Sequence, residues 1–361
     1  MEVRLTAEQL LLRDSAAKFV AAAEPKVARA SQGQEPSFGA ERLRQIGELG
    51  WLGMLVPTST DGSGLGLTEL ALVLEQAGRG LVREPIGLAI IAAAALAQGN
   101  APHPVLRRVM RGDVLVVPAL QESAHDSSSL RTQATGRCES RLTGTKTSVC
   151  ADGADGFLVS AQGPDGPALY YAPRDGAGIT IATAPTVDGR VLARVEFKDA
   201  AADLVPARQS SRGAVEALTD LALIAVSAEL LGVMEGAQEL TFEYLSVRKQ
   251  FGKPIGSFQA LQHKAVDIYI KTETVRSLLY QVAAANDPYR IDPALAAAVK
   301  AKASEEALIV TQTCIQLHGA IGFTDEHDIG LYLKRAMLLS SLFGNAAAQR
   351  RRYAELMETT V

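Results

Sequence analysis

The stretch Arg248-Lys249-Gln250-Phe251-Gly252-Lys253-Pro254-Ile255-Gly256-Ser257-Phe258-Gln259 lies between two long apolar-periodic segments, Val215–Ser246 and Phe258–Ala285. Gly252, Pro254 and Gly256 do not continue a regular helix comfortably, so the spacing predicts a turn joining two helices. Such a turn needs only a Gly or an Asn. This one also carries Arg248, Lys249, Gln250 and Gln259, a cation pair and two amides suited to an anionic, hydrogen-bonding ligand. Composition alone reads it as a solvated, charged corner. A second segment, further along the chain, changes that reading.

After Val215 the chain reads as helical throughout. Leu218–Val247 is a long, mostly apolar central helix, followed by helices at Phe258–Ala285, Pro293–Gly319 and Gly330–Leu342 and a tail helix after Asn345. Before it, between about Gly112 and Pro206, short β-prone runs alternate with Gly, Asp, Pro and Ser clusters. They are Val114–Val117, Arg137–Val149, Gly156–Ala161, Ala168–Ala172, Gly178–Ala182 and Val191–Phe197, a pattern that suits a compact β-domain or barrel. Earlier still, from Thr6 to about Arg111, helical periodicity returns at Phe38–Leu49, Leu67–Gly78 and Pro85–Ala97, with Thr6 as an N-cap. The predicted organisation is α+β in three domains: residues 1–112 helical, 113–206 β, and 207–361 helical. The glycine-rich loop Asp61-Gly62-Ser63-Gly64-Leu65-Gly66 follows no clear strand and lacks dinucleotide-fingerprint spacing, so it reads as a turn needing positive φ.

At 361 residues, 47% hydrophobic, with net charge −4, the chain is large enough for two or three cores and shows no dedicated nucleic-acid surface. Cys138, Cys150 and Cys314 are scattered, which argues against a disulfide framework or structural zinc, and no His/Asp/Glu cluster has metal-ligand spacing. The start of the chain lacks the basic and apolar regions of a signal peptide, so a cytoplasmic location is expected. Ile86–Ala97 is too short to span a bilayer and is expected as a buried helix, with no membrane span in the chain.

The second segment is Gln316-Leu317-His318-Gly319-Ala320-Ile321-Gly322-Phe323-Thr324-Asp325-Glu326, a helix end running into a glycine-rich turn. With the first motif about 55 residues earlier, in an α–β–α order covering essentially the whole chain, it resembles the acyl-CoA dehydrogenase family. The resemblance implies an N-terminal helical domain, a middle β-barrel domain and a C-terminal four-helix bundle. It also implies FAD as cofactor, an acyl-CoA thioester as substrate, and electron transfer flavoprotein as acceptor. One subunit of such a dimer holds the adenine–pyrophosphate half of its neighbour's FAD. By the motifs, the residues here are Arg248, Gln250, Phe251, Phe258, Gln259, Gln316, Gly319 and Ala320, the last standing where a second Gly is usual.

The family's reaction is an α,β-desaturation in which a carboxylate removes the α-proton while a hydride leaves the β-carbon. The carboxylate's usual C-terminal position is occupied here by Phe343, within Leu342-Phe343-Gly344, and its alternative position by Ala222; neither ionises. Asp220 reads as a cap of the first helical turn. Glu229 lies about 10 Å along the axis from Ala222. The flavin-side run of the β-domain appears as Glu122-Ser123-Ala124-His125-Asp126-Ser127-Ser128 and its aromatic-x-Thr as Ser148-Val149-Cys150, with Cys150 expected as a buried, non-nucleophilic residue. His263, His125 and His327 are expected in structural or loop roles. His318 is expected as a cofactor, interface or packing residue, and Arg350-Arg351-Arg352 as a solvated tail face. The neighbour-facing contacts persist while the chain's own ring pocket and base do not. This implies an accessory subunit completing the FAD site of a catalytic partner, in a heterodimer or α2β2 assembly. It is similar to the small subunit of heteromeric enzymes such as pimeloyl-CoA dehydrogenase, or to the α2β2 steroid side-chain enzymes. Two alternatives stay open: a self-sufficient homo-oligomer with an unusual base, and a pseudoenzyme that binds no FAD.

Overall fold

A computed structural model describes residues 5–21, 38–99, 103–123, 130–136, 139–207 and 211–358; the predicted features at Cys138 and at residues 124–128 lie outside them. Helix α1 (Ala7–Ala21) begins as expected at Thr6. The Thr6 hydroxyl accepts from Gln9 N–H at 3.2 Å, and Gln9 Oε1 accepts from Thr6 N–H at 2.9 Å, a reciprocal cap. It is followed by α2 (Ala40–Glu48), α3 (Leu67–Arg79), α4 (Ile86–Leu96) and a short α5 (Leu106–Met110) that the periodicity did not reveal. Every residue of α4 is buried, which is why its apolar run is continuous and not periodic. The glycine-rich loop is turn chemistry: Asp61 and Gly64 have φ of 65° and 62°, and a Cβ on Gly62 would sit 2.1 Å from the Val56 carbonyl oxygen.

The strands are β1 (Val116–Ala119), β2 (Gln133–Thr135), β3 (Ser140–Val149), β4 (Gly156–Gly163), β5 (Gly166–Pro173), β6 (Ile179–Pro185) and β7 (Val191–Leu204). They pair in the order β1-β4-β2-β3-β7-β5, and β5 pairs back to β4, so β4, β2, β3, β7 and β5 close a barrel. β6 lies outside the ring on β7, and β1 runs parallel to β4 from Val116↔Gly156. Phe157 and Phe197 fill the interior. β7 outlasts its apolar run because Ala200 and Ala202 continue the inward alternation after an irregular step at Asp199, φ 51°. β2 escaped the sequence reading because it is three residues long with only Ala134 buried.

The third layer holds α6 (Ser211–Val247), α7 (Gln259–Ala285), α8 (Pro293–His318), α9 (Ile329–Ser341) and α10 (Ala346–Glu358). Asp292 caps α8, accepting from the Ala294 N–H at 2.9 Å, with Pro293 at the first helical position. Central α6 is long and apolar enough to cross a membrane, yet 83% of its apolar window is buried inside the protein. It meets α3 backbone to backbone. A Cβ on Gly78 would lie 2.0 Å from the Glu229 carbonyl oxygen, and one on Gly232 would lie 1.8 Å from that of Glu75. Glycine is required at that crossing because no side-chain layer separates the helices.

Candidate functional site

The first motif is a small hairpin and not a plain turn. After α6, Lys249–Gln250 pairs with Lys253–Pro254 (β8 and β9), and Phe251 and Gly252 at the tip have φ of 50° and 81°. Positive φ at both central residues gives the tight turn whose twist matches a two-stranded ribbon. Gly252 adopts it freely; for Phe251 it costs roughly 1–2 kcal/mol. The Phe251 ring is nevertheless 91% exposed, packed edge-on to Phe258 with centroids 6.1 Å apart. Lys253 Nζ lies 4.4 Å from the centre of the same Phe258 ring.

Arg248 is fixed through its backbone: its N–H donates to Tyr244 O at 2.9 Å and its carbonyl accepts from Ile255 N–H at 2.8 Å. Its side chain is exposed, and among the described residues no carboxylate pairs with it. Gln250 and Gln259 are exposed as well, and Phe258 is half-buried.

The second motif closes α8. His318 is its last residue, Gly319 reverses the chain at φ 68°, ψ −141°, and Gly319–Phe323 forms a 3₁₀ turn. Gln316, Gly319 and Ala320 are exposed. A Cβ on Gly319 would meet nothing within 4 Å, so glycine is needed there for its dihedrals alone. Ala320 has no positive φ, so alanine stands in for the usual second glycine without strain. His318 is not a surface ligand. It is buried, stacked on Tyr244 with centroids 4.5 Å apart at 24°, and His327 packs against it at 4.5 Å. That stack sets the ends of α6 and α8 side by side, so both motifs leave from one end of the bundle.

The two residues that the resemblance matches to the base, Phe343 and Ala222, are placed differently. Phe343 is buried and left-handed, φ 56°. Its N–H donates to Gln121 Oε1 at 2.9 Å, and its carbonyl accepts from Gln349 Nε2 at 2.6 Å. Gly344 O, one residue on, accepts from Lys300 Nζ at 3.2 Å. Ala222 is fully buried. None of the clamping residues Gln121, Gln349 and Lys300 was singled out from the sequence, and no local pattern marks them.

Asp220 and Glu229, the carboxylates near Ala222 in the sequence, are engaged. Asp220 is not a cap, because α6 starts at Ser211 and places it mid-helix. It is buried and bonded to Arg352 at 2.5 Å; burial pushes its carboxyl up to about 6 against the pull of that guanidinium. The tail arginines are therefore not simply a solvated face: Arg352 holds Asp220, and Arg350 holds Glu305. Glu229 accepts from Arg190 at 2.9 Å and from Arg335 at 3.0 Å. Arg335 also binds Asp188 at 2.7 Å, and both arginines donate to Val82 O, so this buried network ties together all three layers. Burial opposes the Asp188 charge, but the two guanidiniums outweigh it and hold its carboxyl below the ordinary range.

The flavin-side residues of the β-domain are likewise turned inward. Glu122 binds Lys146 at 2.7 Å and accepts from the Arg131 and Thr132 N–H groups at 2.5 and 2.9 Å. Burial lowers the Lys146 ammonium to about 8 in spite of that partner. Cys150 is buried and its thiol pushed up to about 12 by burial, which makes it a packing residue as expected.

An α–barrel–α chain with these two exposed motifs at one end of a helical bundle points to a class of flavin-linked oxidoreductases. Residues 6–101 match the family described as Acyl-CoA dehydrogenase, N-terminal domain, and residues 214–357 match Acyl-CoA dehydrogenase, C-terminal domain. The chain is 30% identical over 344 residues to Acyl-CoA dehydrogenase FadE27 of Mycobacterium tuberculosis, covering 90% of each. Its fold is similar to that of the Tcur3481-Tcur3483 steroid ACAD, with TM-score 0.91 and 31% identity over 98% of both chains. It is also similar to the ChsE4-ChsE5 complex from Mycobacterium tuberculosis, with TM-score 0.88 and 28% identity over 99% of both chains. The chain belongs to the acyl-CoA dehydrogenase family.

That family is generally FAD-dependent, and the two sides of the site fit the cofactor unequally. The motif side fits: a guanidinium and two amides stand exposed beside a turn whose Gly319 backbone is unobstructed. On the side that the resemblance gives to the flavin ring, Gln121 and Glu122 are spent on the chain's own hydrogen bonds, and Phe343, matched by the resemblance to the base, is buried.

Proposed function

We propose that this chain is the accessory subunit of a heteromeric acyl-CoA dehydrogenase, completing the FAD site of a catalytic partner that desaturates an acyl-CoA thioester. One observation carries the reading: the Arg248, Gln250, Gln259 and Gln316 side chains are exposed and make no hydrogen bond among the described residues, while the base position is buried, apolar and clamped from both sides. Bound FAD supplies hydride acceptance, and by family resemblance electron transfer flavoprotein takes the electrons onward. Arg248 would donate to pyrophosphate oxygens, Gln250, Gln259 and Gln316 would supply amide contacts, and the Gly319–Ala320 backbone would allow close approach. The α-proton would be removed by a carboxylate of the partner, since Phe343 and Ala222 accept none.

The bundle also offers a face for assembly. Val266, Tyr269 and Ile270 are exposed on α7 beside an open groove of about 440 Å³ that Phe242, Leu245 and Pro254 help to line. Two similar structures are described as two-chain assemblies, which supports the heteromeric reading.

The test is co-expression with a family member that retains the glutamate, followed by flavin determination per assembled complex. One FAD per pair, lost with Arg248→Ala in this chain, is expected. Flavin bound by this chain alone, or unchanged by Arg248→Ala, would sink the proposal.

A further inference from the structure

The two motifs are separated by more than fifty residues of chain, yet one ligand must meet both, so something has to set their relative position. A ring contact joins the two segments that carry them. Tyr244 lies one helical turn before Arg248, and its carbonyl accepts the Arg248 N–H at 2.9 Å. Its ring stacks on His318, the residue directly before Gly319. The His318 ring is tied to its own helix by Nδ1, which donates to Cys314 O at 2.8 Å. The 3₁₀ turn rests on the same residue: a Cβ on Gly322 would come 3.0 Å from His318 Cβ and 2.8 Å from Ile315 O. His327 covers another side of the ring at 4.5 Å and meets Tyr244 edge-on at 6.1 Å.

We infer that the Tyr244–His318 stack is a positioning element that sets the register between the Arg248 hairpin and the Gly319 turn. Neither ring touches the ligand; each acts through the backbone it carries. The inference rests on the reading that these motifs hold a partner's flavin. It adds two residues with a role distinct from theirs.

The ring pair is suited to this by its charge state. His318 Nε2 is buried with no hydrogen-bond partner. Burial, and the neighbouring His327, hold its pKa below the ordinary histidine value, so the ring is neutral near pH 7. A neutral ring pair in offset contact keeps its geometry without needing a counter-charge.

The experiment is FAD titration of the assembled two-chain complex carrying Tyr244→Leu, His318→Leu, Tyr244→Phe or His318→Phe, with size and melting temperature recorded for each. Loss of a stacked pair should raise the FAD Kd about five- to tenfold in the leucine variants. The phenylalanine variants, which keep a ring, should stay within about twofold, and the double leucine variant should cost no more than the worse single one. Unchanged Kd in both leucine variants, or equal losses in the phenylalanine variants, overturns the inference. If a leucine variant fails to assemble, the phenylalanine variant decides, because a ring that restores assembly must also restore affinity. Arg248→Ala is the control. If it leaves the Kd unchanged, the accessory-subunit reading fails; if it raises the Kd while the leucine variants do not, only the stack's role fails.

Discussion

The hairpin end of the bundle and the Phe343 turn are both non-helical breaks with a phenylalanine at positive φ, and they do opposite things with it. Phe251 projects into solvent from a two-stranded tip, beside the exposed Arg248 and Gln250 side chains, which make no hydrogen bond among the described residues. Phe343 is drawn inward and its peptide groups are taken by Gln121 and Gln349. A left-handed phenylalanine is strained in both places, so the surroundings must over-determine it. Around Phe343 those surroundings are the chain itself. Around Phe251 they are the hairpin and Phe258, with one face left open. The difference separates a site that is finished from a site that waits for something.

The comparison breaks most severely if Glu229 is a working base and not a structural anion. Glu229→Ala leaves Asp188 to balance both Arg190 and Arg335, and should destabilise the fold by about 3–5 kcal/mol. Chemical denaturation measures this; a variant of unchanged stability that selectively abolishes turnover in the complex would restore the self-sufficient reading.

A smaller effect sharpens the description of the Phe343 turn as finished. Lys300 is fully buried, and its ammonium donates to Ser304 Oγ, Ser340 O and Gly344 O, with no carboxylate in the set. Burial lowers it to about 7, against 10.5 for an unperturbed lysine. Between these values the unfolded chain binds a proton that the folded chain does not, so stability from this group rises as pH increases from about 7 to 10.5. Melting curves of the native chain and Lys300→Met across that window should show the native chain gaining relative to the variant. A constant difference would mean that Lys300 stays charged when folded.

The smallest effect concerns the motif side. Ala320 has an ordinary backbone, so Ala320→Gly should gain no flavin affinity and lose about 0.5–1 kcal/mol of stability at most. A large gain in flavin retention would show that the alanine obstructs the ligand, and the motif side would then be as degraded as the ring side.

Much of this was legible in the sequence wherever punctuation is local. Thr6 with Gln9, Asp292 with Pro293, and Gly319 mark helix ends through their own backbone chemistry, and the predicted helices fall within a few residues of the observed ones, apart from α6. The start of α6 has no such marker, which is how Asp220 was misread as a cap. The hairpin at Lys249–Pro254 was hidden because two-residue strands leave no alternation to count. The two motifs were readable from their spacing, but the exposure of their residues was not. The Asp188–Arg190–Glu229–Arg335 network could not be read at all, since its members come from separate segments and are paired only by folding. The same holds for Tyr244 and His318, whose meaning lies in a ring contact between distant helices.

The exposed hairpin tip has a consequence for the newly made chain. Phe251 and Phe323 both stand in water, 91% and 78% exposed, near the same end of the bundle as Val247. Such a surface does not discriminate strongly between its intended neighbour and any other apolar patch. On the accessory-subunit proposal, chains made in excess of their partner are a colloidal hazard, and matched synthesis of the two would act as quality control, with the partner serving as the chain's own solubiliser.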